Sequence, residues 1–207
     1  MTPLKVPSLV VLAGLISVTA SAGCGDDEPA PPGTVLVVGD SLFFQASPRL
    51  EREIGDRGWR VEVEAQIGAG IEGGGVDDVD WSQRLDGTVP DLDPEVAVVE
   101  LGTNGCGPGC TSLPDAIDAL LADLSDVPMV LWLTVRTDAP SPENAEEINA
   151  DLRAATERWD NLELLPFHEW FAGRPELLED DGVHLSPQGR DVLARHVADA
   201  VDRRTGD

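Results

Sequence analysis

Lysine is nearly missing from this chain. Lys5 is the only one, so the remaining positive charge sits on arginine, and 14 basic residues face 39 acidic ones for a formal net charge of −25. A surface of that sign repels nucleic acid and anionic lipid headgroups, which argues against a nucleic-acid partner. The acidity otherwise reads as a solvated surface and says nothing of fold. Long apolar runs are missing too. The N-terminal run at 9–18 (LVVLAGLISV) has ten residues, half of the roughly 20 that a helix needs to cross a bilayer core of about 30 Å. It reads as the h-region of a signal peptide over residues 1–23, with Lys5 as a minimal positive n-region.

Cysteine is scarce, and its three positions carry information. Cys106 and Cys110 enclose only Gly-Pro-Gly, a turn-forming spacer that lets the two ends approach, so a disulfide is expected in an exported chain. A paired-thiol metal site is the alternative, but no second pair stands at ligand spacing. Cys24 is left over. Ser21-Ala22-Gly23-Cys24 is similar to a bacterial lipobox, in which the cysteine is lipidated and becomes the first mature residue, although serine stands where leucine is usual. Cleavage after Ala22, of the A-x-A kind, is the competing reading and would release a secreted protein. The expected location is therefore extracytoplasmic, with contact to a membrane only through a lipid on Cys24. Residues 24–33, polar and proline-rich, read as a tether to a single domain at 34–207.

Within that domain, buried-strand candidates fall at 35–38, 61–65, 96–101, 129–135 and 162–165. They alternate with helical stretches at 42–56, 76–85, 114–124, 142–159 and 187–202. Strands alternating with helices predict an α/β fold built on a parallel, doubly wound sheet.

Ligands of such sheets bind beyond the carboxyl ends of the strands. The first strand runs into Gly39-Asp40-Ser41, the second into Gln66-Ile67-Gly68-Ala69-Gly70 and the third into Gly102-Thr103-Asn104-Gly105. Before the last helix stands Asp180-Asp181-Gly182-Val183-His184-Leu185-Ser186-Pro187. A serine, a glycine turn, an asparagine and a histidine with an upstream aspartate thus share one rim. These four segments, in this order, resemble the four blocks of the SGNH (GDSL-like) hydrolases. The stretches VEVEAQIG, VAVVELGTNG and LTVRTDAPSPENAEEIN are similar to the extracytoplasmic domains of peptidoglycan O-acetyltransferases. Those enzymes also carry a multi-span membrane acyltransferase module, which makes hydrolysis the safer inference for this chain.

The resemblance implies a three-layer α/β/α sandwich with a flavodoxin-like five-stranded parallel sheet. It also implies an esterase that uses Ser41 as nucleophile, His184 as its base and Asp181 to hold the imidazole. The oxyanion donors would be the Ser41 and Gly68 amides and the Asn104 side chain, with Gly70 as the alternative to Gly68. The chemistry needs these residue types. A serine hydroxyl requires a base to take its proton, the base requires a carboxylate to fix its tautomer, and the tetrahedral oxyanion requires prepositioned donors. The α/β-hydrolase elbow G-x-S-x-G is excluded, because Phe43 stands two residues after Ser41.

Blander readings stand beside each residue. Ser41 could cap the first helix, and His184 could be a surface histidine. His196 reads as a packing residue on the apolar side of the last helix. His168 could line the rim but reads as structural. Asp77, Asp78 and Asp80 could suggest a cation site but read as a solvated turn, and Asp40 reads as orienting the nucleophile loop. The expected substrate is a small acyl ester, such as an O-acetyl group of cell-wall or extracellular carbohydrate, with no metal or organic cofactor implied. The alternatives are a non-catalytic surface lipoprotein that binds carbohydrate, and an O-acetyltransferase served by a separate membrane acyl donor.

Overall fold

The computed structural model describes residues 33–205. The signal-peptide reading, the lipidation of Cys24 and the tether up to Pro32 lie outside the described residues.

The first strand, β1 (Thr34–Gly39, TVLVVG), is buried along its whole length, as expected of a central parallel strand covered on both faces. It leads into α1 (Ser41–Gly55), whose buried Leu42, Phe43, Ala46, Leu50 and Ile54 form one helical stripe. Next come β2 (Arg60–Ala65), a two-stranded antiparallel ribbon of β3 (Gly73–Gly74) and β4 (Val79–Asp80), and α2 (Trp81–Leu92). The remaining elements are β5 (Val96–Glu100), α3 (Leu113–Asp123), β6 (Met129–Leu133), α4 (Ala145–Ala155), β7 (Leu162–Leu165), α5 (Phe167–Phe171), a 3₁₀ turn at Pro175–Leu177, and α6 (Pro187–Thr205).

The main sheet has the order β2-β1-β5-β6-β7, with every pair parallel. Alternate residues of β1 feed opposite layers. Leu36 and Val38 pack with Trp81, Leu85, Ile117 and Leu152 of α2, α3 and α4, while Val35 and Val37 pack with Phe43, Leu50, Leu193 and Val197 of α1 and α6. Each fully buried aliphatic or aromatic side chain contributes about 1.5–3 kcal/mol. This is the expected three-layer sandwich with flavodoxin-like strand order. Its direction reverses between β1 and β5, the switch point at which such sheets bind ligands.

Three expectations need correction. The stretch 61–65 is not a buried strand but an edge strand, and Glu62 is exposed on it. The stretch 76–85 is not helical throughout. Residues 76–80 turn through Asp78, at φ 52°, into β4, and the helix begins at Trp81, where Asp80 caps it by accepting Gln83 N–H at 3.0 Å. It then continues past Gly87 and Pro90, because Trp81, Leu85 and Val89 keep one buried stripe down to the last turn. The long stretch 142–159 condenses to α4, flanked by turns in which Ala145 N–H meets Pro142 O and Trp159 N–H meets Ala155 O. Among the described residues, no helix is long and apolar enough to cross a membrane.

Candidate active site

Gly39 ends β1 where no side chain fits, since a Cβ there would lie 2.6 Å from the Phe43 Cβ. The chain turns at once into α1. Asp40 takes the N-cap position, its Oδ1 accepting Leu42 N–H at 2.9 Å. The capping role considered for Ser41 therefore falls to its neighbour, and Ser41 becomes the first residue of the helix. Its hydroxyl lies 3.0 Å from His184 Nε2.

His184 and Asp181 sit in the loop before α6, shaped by Gly182 at φ 72°. Asp181 Oδ1 accepts the Val183 and His184 N–H groups, each at 2.9 Å, and Oδ2 lies 2.6 Å from His184 Nδ1. The His184 hydrogen bond, followed by these two backbone N–H groups, holds the Asp181 carboxyl down at about 2. An ionised Asp181 accepts from Nδ1–H, which leaves Nε2 bare to accept the Ser41 proton. The loop is fastened from both ends, by Glu179 N–H on His184 O at 2.8 Å and Ser186 N–H on Leu177 O at 2.9 Å.

A third fastening comes from Arg136, just past β6. Its guanidinium, 5% exposed, donates from Nη1 to the Gly182 carbonyl at 3.1 Å and from Nε to Asp138 at 3.0 Å. Arg136 is in turn positioned by Asn149 of α4, whose amide accepts Val135 N–H at 2.7 Å and donates to Val135 O at 2.8 Å.

The turn after β2 closes with Ala69 N–H on Gln66 O at 3.2 Å. Gly68 occupies its third position at φ 78°, where a type II turn favours glycine. The Gly68 N–H has no acceptor among the described residues, whereas the Gly70 N–H is spent on Gly73 O at 2.9 Å. Of these two glycine amides, that of Gly68 is the one left without an acceptor among the described residues. Asn104, beyond β5, donates through Nδ2 to Asp40 Oδ2 at 2.8 Å and to the Ala69 carbonyl at 3.1 Å. Ser41 presents its own N–H at the positive end of α1.

Beneath this rim, Asp40 and Glu100 are both buried, at 0% and 3% exposure. Burial pushes the Asp40 carboxyl up to about 6, against the pull of its hydrogen bonds. Burial, and then the Asp40 charge, push Glu100 well above the usual carboxyl range.

Cys106 and Cys110 form the expected disulfide, with Cα atoms 5.8 Å apart. The bridged loop lies against the glycine-rich segment after Gly68. Ile71 N–H meets Gly105 O at 3.2 Å and Glu72 N–H meets Cys106 O at 2.7 Å, and a Cβ on Gly70 would strike Gly107 N at 2.5 Å.

The other two histidines have partners elsewhere. His196 stacks on Trp170, with centroids 4.6 Å apart, and its burial lowers its pKa. His168 Nδ1 accepts Thr137 N–H at 3.4 Å and lies 3.6 Å from Asp138. Of the three acidic-turn residues, Asp80 caps α2 and Asp77 accepts from Gln66 at 2.9 Å.

Arg136, Asn149 and Glu100 were not singled out from the sequence. Only Glu100 gave a signal there: a charge ending the otherwise apolar run VAVVE.

The fold agrees with what the chain is similar to. It superposes on the C-terminal catalytic domain of Streptococcus pneumoniae peptidoglycan O-acetyltransferase A with a TM-score of 0.64 and 17% identity, over 83% of this chain and 93% of that one. Against a carbohydrate acetylesterase from Sinorhizobium meliloti the TM-score is 0.67 at 18% identity, over 83% and 99% of the two chains. Against the Clostridium thermocellum family 3 carbohydrate esterase it is 0.56 at 15%, over 82% and 98%. At these identities the likeness carries the fold. No curated protein matches by sequence. The model of the GDSL-like lipase/acylhydrolase family matches residues 17–192, most of the 207, and the chain therefore belongs to that family of hydrolases.

Proposed function

We propose that this protein is a serine esterase that hydrolyses small acyl esters, foremost O-acetyl groups of cell-wall or extracellular carbohydrate, through Ser41, His184 and Asp181. The observation that carries this reading is the unbroken relay from Ser41 Oγ to His184 Nε2 at 3.0 Å and from Nδ1 to Asp181 Oδ2 at 2.6 Å.

Ser41 Oγ attacks the ester carbonyl as Nε2 takes its proton. The oxyanion is met by the Ser41 and Gly68 amides and by Asn104 Nδ2, each such donor worth about 3–4 kcal/mol of barrier when removed. His184 then protonates the departing alcohol, and the acyl-serine is hydrolysed by water that the same imidazole activates. Acyl-ester hydrolysis is supported by the family, and the acetyl preference by the carbohydrate acetylesterase among its structural likenesses.

The test is p-nitrophenyl acetate turnover together with fluorophosphonate labelling. Ser41→Ala should abolish both, and His184→Ala should cost about as much as Ser41→Ala, because the pair acts as a unit. Unchanged turnover in Ser41→Ala would overturn the nucleophile. Acceptor-dependent acetyl transfer with a membrane donor would move the protein to the transferases.

We further propose that the exported protein is anchored by lipid on Cys24. Two acyl chains supply the second signal that stable anchoring requires. Mass analysis of the mature N-terminus decides this: lipidated Cys24 supports it, and an unmodified N-terminal Gly23 refutes it.

A further inference from the structure

Two carboxyl groups meet beneath the nucleophile, and the steps just described use neither. Strand register sets Glu100 beside Gly39, and Asp40 N–H donates to the Glu100 carbonyl at 3.1 Å. Asp40 is satisfied as an anion, since Oδ1 takes Leu42 N–H at 2.9 Å and Oδ2 takes the Asn104 amide at 2.8 Å. Glu100 is only half satisfied. Its Oε1 accepts the Thr103 hydroxyl at 3.1 Å, while Oε2 is buried with no donor among the described residues. The acid that shares this buried gap with Glu100 is Asp40, whose charge raises the Glu100 carboxyl. Two carboxylate oxygens are both acceptors, so they can bond only when one carries a proton. An uncompensated buried second charge would be strongly destabilising.

We propose that Glu100 is a positioning residue which stays protonated at neutral pH and donates to the Asp40 carboxylate, leaving one negative charge behind Ser41 and Asn104. The orphaned Oε2 then becomes a donor, and every oxygen of the pair is accounted for. The direction of both titrations agrees. Burial raises the two groups, the Asp40 charge raises Glu100 further, and the hydrogen bond from Glu100 draws Asp40 back down. Apart from each other, the titratable group acting on Asp40 is His184, whose imidazolium, when it forms, favours an ionised Asp40.

The arrangement serves the chemistry twice. A single anion at Asp40 grips one proton of the Asn104 amide and so orients the other. A second anion in this low-dielectric interior would oppose the charge that develops on the substrate oxygen. The kinetic consequence rests on the esterase reading, but the protonation does not and is measured without turnover.

The experiment is infrared spectroscopy of the whole protein at about pH 8, where exposed carboxyls are ionised, comparing wild type with Glu100→Gln. The wild type should carry the carbonyl stretch of a protonated carboxyl, and Glu100→Gln should lose it. A wild type lacking that band, or a band that persists in Glu100→Gln, overturns the proposal. In parallel, Glu100→Gln, which offers a neutral donor in the same place, should recover kcat to within about fivefold of wild type. Glu100→Ala, which offers none, should lose about thirtyfold or more. If Glu100→Ala does not fold, the band and the Glu100→Gln kcat decide alone. A folded Glu100→Gln with kcat depressed a hundredfold would mean that the ionised form is required, and would overturn the proposal. A wild type that shows the band yet turns over no ester would refute the esterase reading and leave the protonated Glu100 standing.

Discussion

Replacing Asn104 by alanine tests the oxyanion assignment with a magnitude that follows from its hydrogen bonds. Both Nδ2 protons are engaged in the resting site, one on the buried Asp40 carboxylate at 2.8 Å and one on the Ala69 carbonyl at 3.1 Å. The bond to the ionised partner is the stronger. When an oxyanion forms, the Ala69 bond is therefore the one to be exchanged. A full oxyanion donor is worth about 3–4 kcal/mol, and the neutral bond given up is worth about 1 kcal/mol. The net loss in Asn104→Ala is then about 2–3 kcal/mol, roughly 30- to 150-fold in kcat, with KM little changed. The variant also leaves Asp40 one donor short, which should lower Tm by a few degrees, since about 1–2 kcal/mol moves a domain of this size by roughly 2–8 °C. Steady-state kinetics on p-nitrophenyl acetate and a thermal melt read both effects. A kcat within about threefold of wild type would refute the donor role. An unchanged Tm with depressed kcat would show that Asp40 does not depend on the amide.

Arg136→Ala should lower kcat about tenfold at unchanged KM, because the Gly182 carbonyl and the Asp181–His184 loop lose their clamp, and Arg136→Lys should restore part of it; equal kcat in all three would remove Arg136 from the positioning of the loop. Because Asp181 is held at about 2 against an ordinary 3.8, its hydrogen bonds to the His184 ring and to the Val183 and His184 N–H groups contribute stability that is present above about pH 4 and lost as pH falls through 2. Asp181→Asn should remove that acid-side dependence from the melting curve and lower kcat by about 10²–10⁴-fold; an unchanged acid dependence refutes the assignment. Reduction of Cys106–Cys110, a bridge across a sequence separation of 4, should cost at most about 2 kcal/mol by loop entropy. Its larger effect should fall on kcat, through the strand-like contacts that tie the bridged loop to Ile71 and Glu72. A large Tm loss with full activity would reverse that reading.

Much of the candidate site was legible because its residues stand in short segments at strand ends. Ser41, Gly68, Asn104 and the Asp181–His184 pair each follow a strand or precede a helix whose period shows in the sequence, and the sheet order brings β1 and β5 side by side. What was hidden depends on which side chains meet across the sheet. Arg136 and Gly182 are 46 residues apart, and no periodicity connects them. Asn149 reads as one more polar residue on a helix until its amide closes on Val135. The helix start misplaced at residue 76 has a local cause, since Asp78 at positive φ and the Asp80 cap override the apolar spacing of Val76 and Val79. Glu100 shows the limit most clearly. In the sequence it is a charge closing an apolar strand, and such a charge normally marks the return to solvent. Only the parallel pairing of β1 with β5 turns it inward against Asp40, and only there does the absence of a donor among the described residues for its second oxygen become a statement about a proton.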